Sequence, residues 1–190
     1  MKAAVLTGPQ AIEVKEVPVP VLKPGEIEIK VSACGVCGSD VHMWKAGRGW
    51  GGQEGDFHMG HEFCGVVTNP GDSQFKAGDR VTFWANLYCG KCDMCQAGQE
   101  QLCREVNGTN YIGFVCNGAY AEYYVGKASN AYLLPDAVSD VAACVDGVRP
   151  RREDCDDRQL HRPGDTLCHE PGGAPGDDPH RQRLLHPQGV

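Results

Sequence analysis

Cys89, Cys92, Cys95 and Cys103 follow one another at the spacing Cys-x2-Cys-x2-Cys-x7-Cys. Four thiolates on one short excursion match the closed tetrahedral set that zinc takes from sulfur donors, and no open position is left for a substrate, so the role is structural. Gly90 and Gly98 supply the tight backbone such a loop needs. Two rival readings are free thiols in a loop and a nucleic-acid zinc ribbon. The second lacks a phosphate-binding face, since only Lys91 and Arg104 lie near. A second constellation lies upstream, in Cys37-Gly38-Ser39-Asp40-Val41-His42 and Gly60-His61-Glu62. Cys37 and His61 offer a thiolate and an imidazole, whereas a catalytic zinc takes about three protein ligands and one open place. Asp40 or Glu62 can hold the imidazole tautomer, and Ser39 is suited to pass a proton toward His42. Taken singly, Cys34-x2-Cys37 also reads as a redox pair and His61-Glu62 as ordinary polar surface.

These groups need a scaffold, and the scaffold reads as β-rich. Met1 to Leu6 and Ile12 to Val17 are short strand candidates around the break Thr7-Gly8-Pro9. From Glu26 the run EIEIKV alternates strictly, which predicts Ile27, Ile29 and Val31 on one buried face. Ser39-Asp40 is positioned to cap a short helix through Lys45. Glu62 to Val67, Arg80 to Ala85, Ala119 to Val125 and Ala131 to Leu134 read as further strands, and Ser139 as the N-cap of a last helix. Residues 86–110 read as a cysteine-rich loop. Many short strands between Gly/Pro turns predict a mainly β, barrel-like domain with short helices. Trp44, Trp50 and Tyr111 either line a cleft or pack, His58 reads as loop polarity, and Cys34 and Cys64 as structural thiols. Cys116, Cys144, Cys155 and Cys168 match no ligand position.

The 190 residues give room for one full domain plus a remainder. A net charge of −7 without a Lys/Arg run argues against nucleic acid or an anionic membrane as partner. No apolar stretch nears membrane-spanning length, and the start is too short for a signal peptide. Eleven cysteines in that setting point to metal ligands rather than disulfides, and to a cytoplasmic location. The composition changes at a seam near residue 145. Residues 145–190 hold 7 Arg but no Lys, no aromatic and no Ile, and 6 of the 12 Pro. Such a segment cannot bury enough apolar surface to offset its ordering entropy, so it reads as a disordered tail.

The ordered series GVCGSDVH, GHEFCG, KAGDRV, CGKCDMCQAGQEQLC, NGAYAEYYV and LLPDAVS resembles the zinc-containing medium-chain alcohol dehydrogenase family, most closely its polyol and threonine dehydrogenase branch. The likeness runs from Met1 to about Val145. It implies a GroES-like catalytic domain over 1–144, with a structural-zinc lobe at about 86–110. By the same resemblance Cys37 and His61 are catalytic-zinc ligands, with Glu62 a transient ligand of that zinc or a partner behind its ligands, Ser39 and His42 form the proton relay, and Cys89, Cys92, Cys95 and Cys103 hold the structural zinc. The implied reaction oxidises a small secondary alcohol or polyol, with hydride passing to NAD or NADP. A non-catalytic zinc-binding module is the alternative reading.

The resemblance also implies a Rossmann domain after the catalytic one, and the sequence departs from it. Asp146 falls where the branch places a glutamate that completes the catalytic zinc site. Pro163-Gly164-Asp165-Thr166 precedes Gly173 and Gly176 at the spacing seen before the dinucleotide fingerprint. That fingerprint needs a buried strand and then G-x-G-x-x-G opening a helix. Here Cys168-His169-Glu170 stands at the strand, Pro171 at the first glycine, and Pro175 and Pro179 in the expected helix. The expectation is a chain truncated or shifted in reading frame after about residue 145, without its cofactor domain.

Overall fold

The computed structural model describes residues 1–52, 56–105 and 111–145, all within the first of the chain's two units, Met1–Val148. The expectations for Asp146, the tail and the dinucleotide loop lie outside the described residues. Seven strands and three helices are present among those described. Strands β1 (Lys2–Gly8) and β2 (Ala11–Glu16) form an antiparallel hairpin in register Lys2↔Glu16 to Leu6↔Ile12. Gln10 turns it at a φ of 59°, the one non-glycine residue with positive φ among those described.

The main sheet contains β3 (Glu26–Cys34), β4 (Phe63–Asn69), β5 (Arg80–Phe83), β6 (Tyr123–Lys127) and β7 (Ala131–Leu133) in the order β6-β3-β4-β5-β7, all antiparallel. The alternation of β3 puts Ile27 and Ile29 in the core, fully buried. Val31 is only partly buried, because the register with β4 slips between Val31 and Ala33 and turns the strand end. Phe63, Phe83 and Tyr124 meet in that core with ring centroids 4.8–5.3 Å apart. Edge-to-face and offset contacts of this kind add to what burial of the rings supplies. The hairpin joins this body through bridges Ala3↔Ala121 and Val5↔His58, which curl hairpin and sheet toward a barrel. Ala121 pairs with Ala3 while Tyr120 and Glu122 bond to the backbone of Ala4 and Lys2, so the strand expected from Ala119 begins only at Tyr123.

Helix α1 (Gly38–Ala46) begins one residue before the expected cap. Cys37, not Ser39, is the N-cap, because Asp40 in the first turn accepts a hydrogen bond from the Cys37 N–H at 2.9 Å. Gly47 closes the helix in the left-handed conformation, φ 70°, donating its N–H to Met43. A second cluster of Leu6, Met43, Phe57, Met59 and Phe114 packs α1 against β1. Within the region read as loop, α2 (Asp93–Gln96) and a 3-10 turn at Glu100–Leu102 appear. The last helix, α3 (Asp140–Val145), starts after Ser139, whose Oγ accepts from the Ala142 N–H. Arg80 fixes its start by donating to Asp140 and to the Val138 carbonyl. No described helix is long and apolar enough to cross a membrane.

Candidate metal centres

The four-cysteine lobe is built almost entirely from its own chain segment. All four sulfur atoms of Cys89, Cys92, Cys95 and Cys103 lie within 4.8 Å of one another. Two of the edges, Cys89–Cys95 and Cys92–Cys103, are 3.9 Å. A zinc–sulfur bond of about 2.3 Å gives a tetrahedron with edges of roughly 3.8 Å, so the donor set fits that ion. Backbone N–H groups point at the sulfurs: Cys92 and Lys91 donate to Cys89 Sγ and Cys89 donates to Cys103 Sγ, at 3.3–3.5 Å. Such donors stabilise thiolates. The backbone N–H groups of Cys95 and Arg104 accordingly pull the Cys92 thiol down to about 6.

The lobe is tied down at its edges. Arg104 grips Asp93 with two bonds of 2.6 and 2.7 Å, which holds the Asp93 carboxyl below its usual range. Asn130, fully buried, donates to the carbonyls of Trp84 and Asn86, and the Asn86 amide donates to Glu100. The two buried asparagines therefore link the lobe to the start of β7, and nothing in their sequence setting singled them out.

The upstream centre draws its ligands from two separate segments. Cys37 comes from the N-cap of α1, while His61 and Glu62 come from the turn that enters β4. One ligand atom from each lies within 4.8 Å of the other two. Four backbone hydrogen bonds close the assembly. Gly35 N–H donates to the Glu62 carbonyl at 2.7 Å, and residues 118–120 donate to His58, Gly60 and Met59 at 2.8–2.9 Å. Gly60 has φ of 96°, and a Cβ on Gly118 would fall on the Gly60 carbonyl oxygen. Only glycine allows that approach, which sets where His61 emerges.

Around the ligand atoms the polar groups are arranged by role. The Ser39 hydroxyl and N–H lower the Cys37 thiol, favouring its thiolate. Ser39 Oγ also stands 3.4 Å from His61 Nε2. Asp40 is 2 % exposed, and its Oδ1 faces His61 Nδ1 at 3.5 Å, off the line a hydrogen bond needs. Burial pushes the Asp40 carboxyl up, but His61, the Cys37 N–H and the Tyr120 hydroxyl outweigh it and leave the group below its ordinary range. Burial likewise lowers His61, and Asp40 more than reverses it. A thiolate, an imidazole and a carboxylate held over a buried aspartate are the donor set of an open zinc site.

Cys37, Ser39, His61 and Glu62 thus come together. His42 lies three residues on from Ser39 along α1 and is exposed, with no hydrogen bond between the two among the described residues. His58, read as loop polarity, is instead 3 % exposed, because it sits in the bridge to Val5. Cys34 is half-buried, with its thiol pushed up to about 12 by burial and then by Asp40. Cys64 and Cys144 are buried with their sulfurs 3.7 Å apart. Trp44 and Tyr111 pack beside Met43, Phe57 and Met59. Trp50 is exposed and lines a cleft of about 340 Å³ with Ala46, Arg48, Gly49 and Gly52. From Trp50 a ring contact of 4.7 Å reaches Phe114, and from Phe114 one of 4.6 Å reaches His61. No local pattern distinguishes Phe114; its place between Trp50 and His61 is a product of the fold.

Residues 23–136 match the alcohol dehydrogenase GroES-like domain family. The chain is 39 % identical over 153 residues to an L-threonine 3-dehydrogenase of Cutibacterium acnes, covering 77 % of this chain and 43 % of that protein. It is 38 % identical over 144 residues to a sorbitol dehydrogenase of Bacillus subtilis, covering 73 % and 40 %. Among solved structures, a cobalt- and zinc-bound thermostable alcohol dehydrogenase of Pyrobaculum aerophilum superposes with a TM-score of 0.67 at 35 % identity, covering 75 % of this chain and 44 % of that one. An alcohol dehydrogenase of Escherichia coli complexed with NADH gives 0.64 at 31 % identity, covering 76 % and 41 %. The chain spans about two fifths of the length of the curated relatives it matches.

Proposed function

Since the chain belongs to the alcohol dehydrogenase GroES-like domain family, we propose that it carries the metal chemistry of a zinc-dependent dehydrogenase. The substrate is a small secondary alcohol or polyol, oxidised with NAD or NADP. The observation that carries this reading is the convergence of Cys37, His61 and Glu62 within 4.8 Å, beside a buried Asp40. The relatives support the substrate class, since those matched act by name on threonine and sorbitol.

Cys37, His61 and Glu62 would hold the catalytic metal, which when bound supplies Lewis-acid polarisation of the alcohol oxygen. Cys37 binds as the thiolate favoured by Ser39. His61 would bind through Nε2, the nitrogen turned away from Asp40, whose carboxylate facing Nδ1 at 3.5 Å favours the proton there. Ser39, 3.4 Å from His61 Nε2, would take the proton of the substrate hydroxyl, and the exposed His42, one turn on along α1, would receive it. Cys89, Cys92, Cys95 and Cys103 would hold a second, structural zinc. Trp50 and Phe114 form an apolar wall that leads from the cleft toward His61.

We further propose that this chain does not bind the dinucleotide by itself. Pro171, Pro175 and Pro179 occupy the positions where the fingerprint needs a glycine and a helix. Metal analysis tests the core of the reading: two zinc ions per chain are expected, with one lost in Cys37→Ala. One zinc per chain, unaffected by that substitution, leaves only a non-catalytic zinc module. A companion titration with NADH, alongside an assay of alcohol-dependent NAD and NADP reduction on L-threonine and sorbitol, tests the remainder. Saturable NADH binding would overturn the proposal about residues 171–179.

A further inference from the structure

We infer that Tyr120 is a positioning residue for the upstream metal centre, acting through Asp40 on His61. The inference rests on the metal reading of Cys37, His61 and Glu62. Asp40 Oδ2 accepts from the Cys37 N–H at 2.9 Å and from the Tyr120 hydroxyl at 3.0 Å. Asp40 Oδ1 has no hydrogen-bond partner and faces His61 Nδ1. The carboxylate is thus clamped through one oxygen so that the other is presented to the imidazole.

Tyr120 is connected to every segment that brings a ligand. Its hydroxyl lies 3.0 Å from the Gly35 carbonyl, two residues before Cys37. Gly35 in turn is bonded to the Glu62 backbone. The Tyr120 N–H donates to the Met59 carbonyl, two residues before His61. One phenolic proton serves two acceptors, Gly35 O and Asp40 Oδ2, so it couples the Cys37 arm to the aspartate.

Removing the hydroxyl would leave Asp40 held at Oδ2 by the Cys37 N–H alone. The carboxylate could then rotate and release the N–H tautomer of His61 Nδ1, which is what frees Nε2 for a metal. A purely structural role is the competing account, since the ring packs beside Leu6, Met43, Phe57 and Met59. Phenylalanine keeps that ring and deletes only the oxygen.

The test uses the whole 190-residue chain loaded with zinc or cobalt(II), with Tyr120→Phe, Asp40→Asn and the double variant. Competition with a chromophoric chelator reads the affinity of each site, and cobalt d–d and thiolate charge-transfer bands read the geometry at Cys37. Outer partners of metal ligands contribute about 10- to 100-fold in affinity. Asp40→Asn is expected to weaken the upstream site in that range, and Tyr120→Phe by roughly 3- to 10-fold, with shifted cobalt bands. The four-cysteine site should stay within about twofold. The double variant should be no weaker than Asp40→Asn, because the tyrosine acts through the aspartate. The inference is overturned if Tyr120→Phe leaves affinity and spectrum unchanged, if the two losses multiply, or if the lobe metal is lost as well. A wild-type chain that takes up only one metal overturns the metal reading itself, and this inference with it.

Discussion

The two metal centres gather similar donors by opposite routes. In the lobe, four sulfurs from one short stretch are held by their own backbone N–H groups, so the site is nearly complete once residues 89–103 turn. Upstream, Cys37 must meet His61 and Glu62 across α1 and the chain that follows it, through contacts made by residues 118–120. Loop closure differs by only about 0.5 kcal/mol between the two, so the contrast lies in what holds them: local backbone bonds for the first and packing from distant residues for the second. The lobe therefore depends on its metal, whereas the upstream centre depends on the fold.

The largest expected effect is on the lobe. Cys92→Ser should remove one zinc and destabilise the chain by on the order of 4 kcal/mol, read by denaturant unfolding and metal content. Retention of full stability would break the contrast. Gly118→Ala comes next, because its Cβ would collide with the Gly60 carbonyl. It should cost about 3 kcal/mol and empty the upstream site while sparing the lobe, as a two-site metal titration would show. Asn130→Ala removes two buried hydrogen bonds and should cost about 2 kcal/mol. Its signature is faster amide exchange at residues 86–105, with Cys37 chemistry unchanged. Cys37→Ala should lose one zinc yet shift stability by under about 1 kcal/mol, since the surrounding fold positions it rather than the reverse.

The smallest effect concerns pH. Burial holds the His58 imidazole below its ordinary value. As pH falls below about 6.5, the unfolded chain takes up a proton that the folded one resists. Stability should therefore fall in that window, and His58→Gln should flatten the slope between pH 7.5 and 5.5. An unchanged slope would show that His58 does not contribute.

Much of this was legible because it is local. The alternation at Glu26 to Val31 marked β3, and Ser139 marked the start of α3. The cysteine spacing marked the lobe, and the order of motifs pointed to the family. Misplacements arose where a distant partner overrode a local preference. Asp40 reached back to the Cys37 N–H and moved the helix cap, and pairing with Val5 buried His58. The slipped register beside Ala33 left Val31 only partly covered.

Sequence by itself determined the donor types, the self-contained four-cysteine spacing and the strand periodicity, since each depends on neighbours a few residues apart. Tertiary structure alone decided that Tyr120, Gly118 and Phe114 belong to the upstream centre. Their contacts with Asp40, Gly60 and His61 span more than fifty residues, and no local pattern encodes a meeting that only a packed core can hold in place.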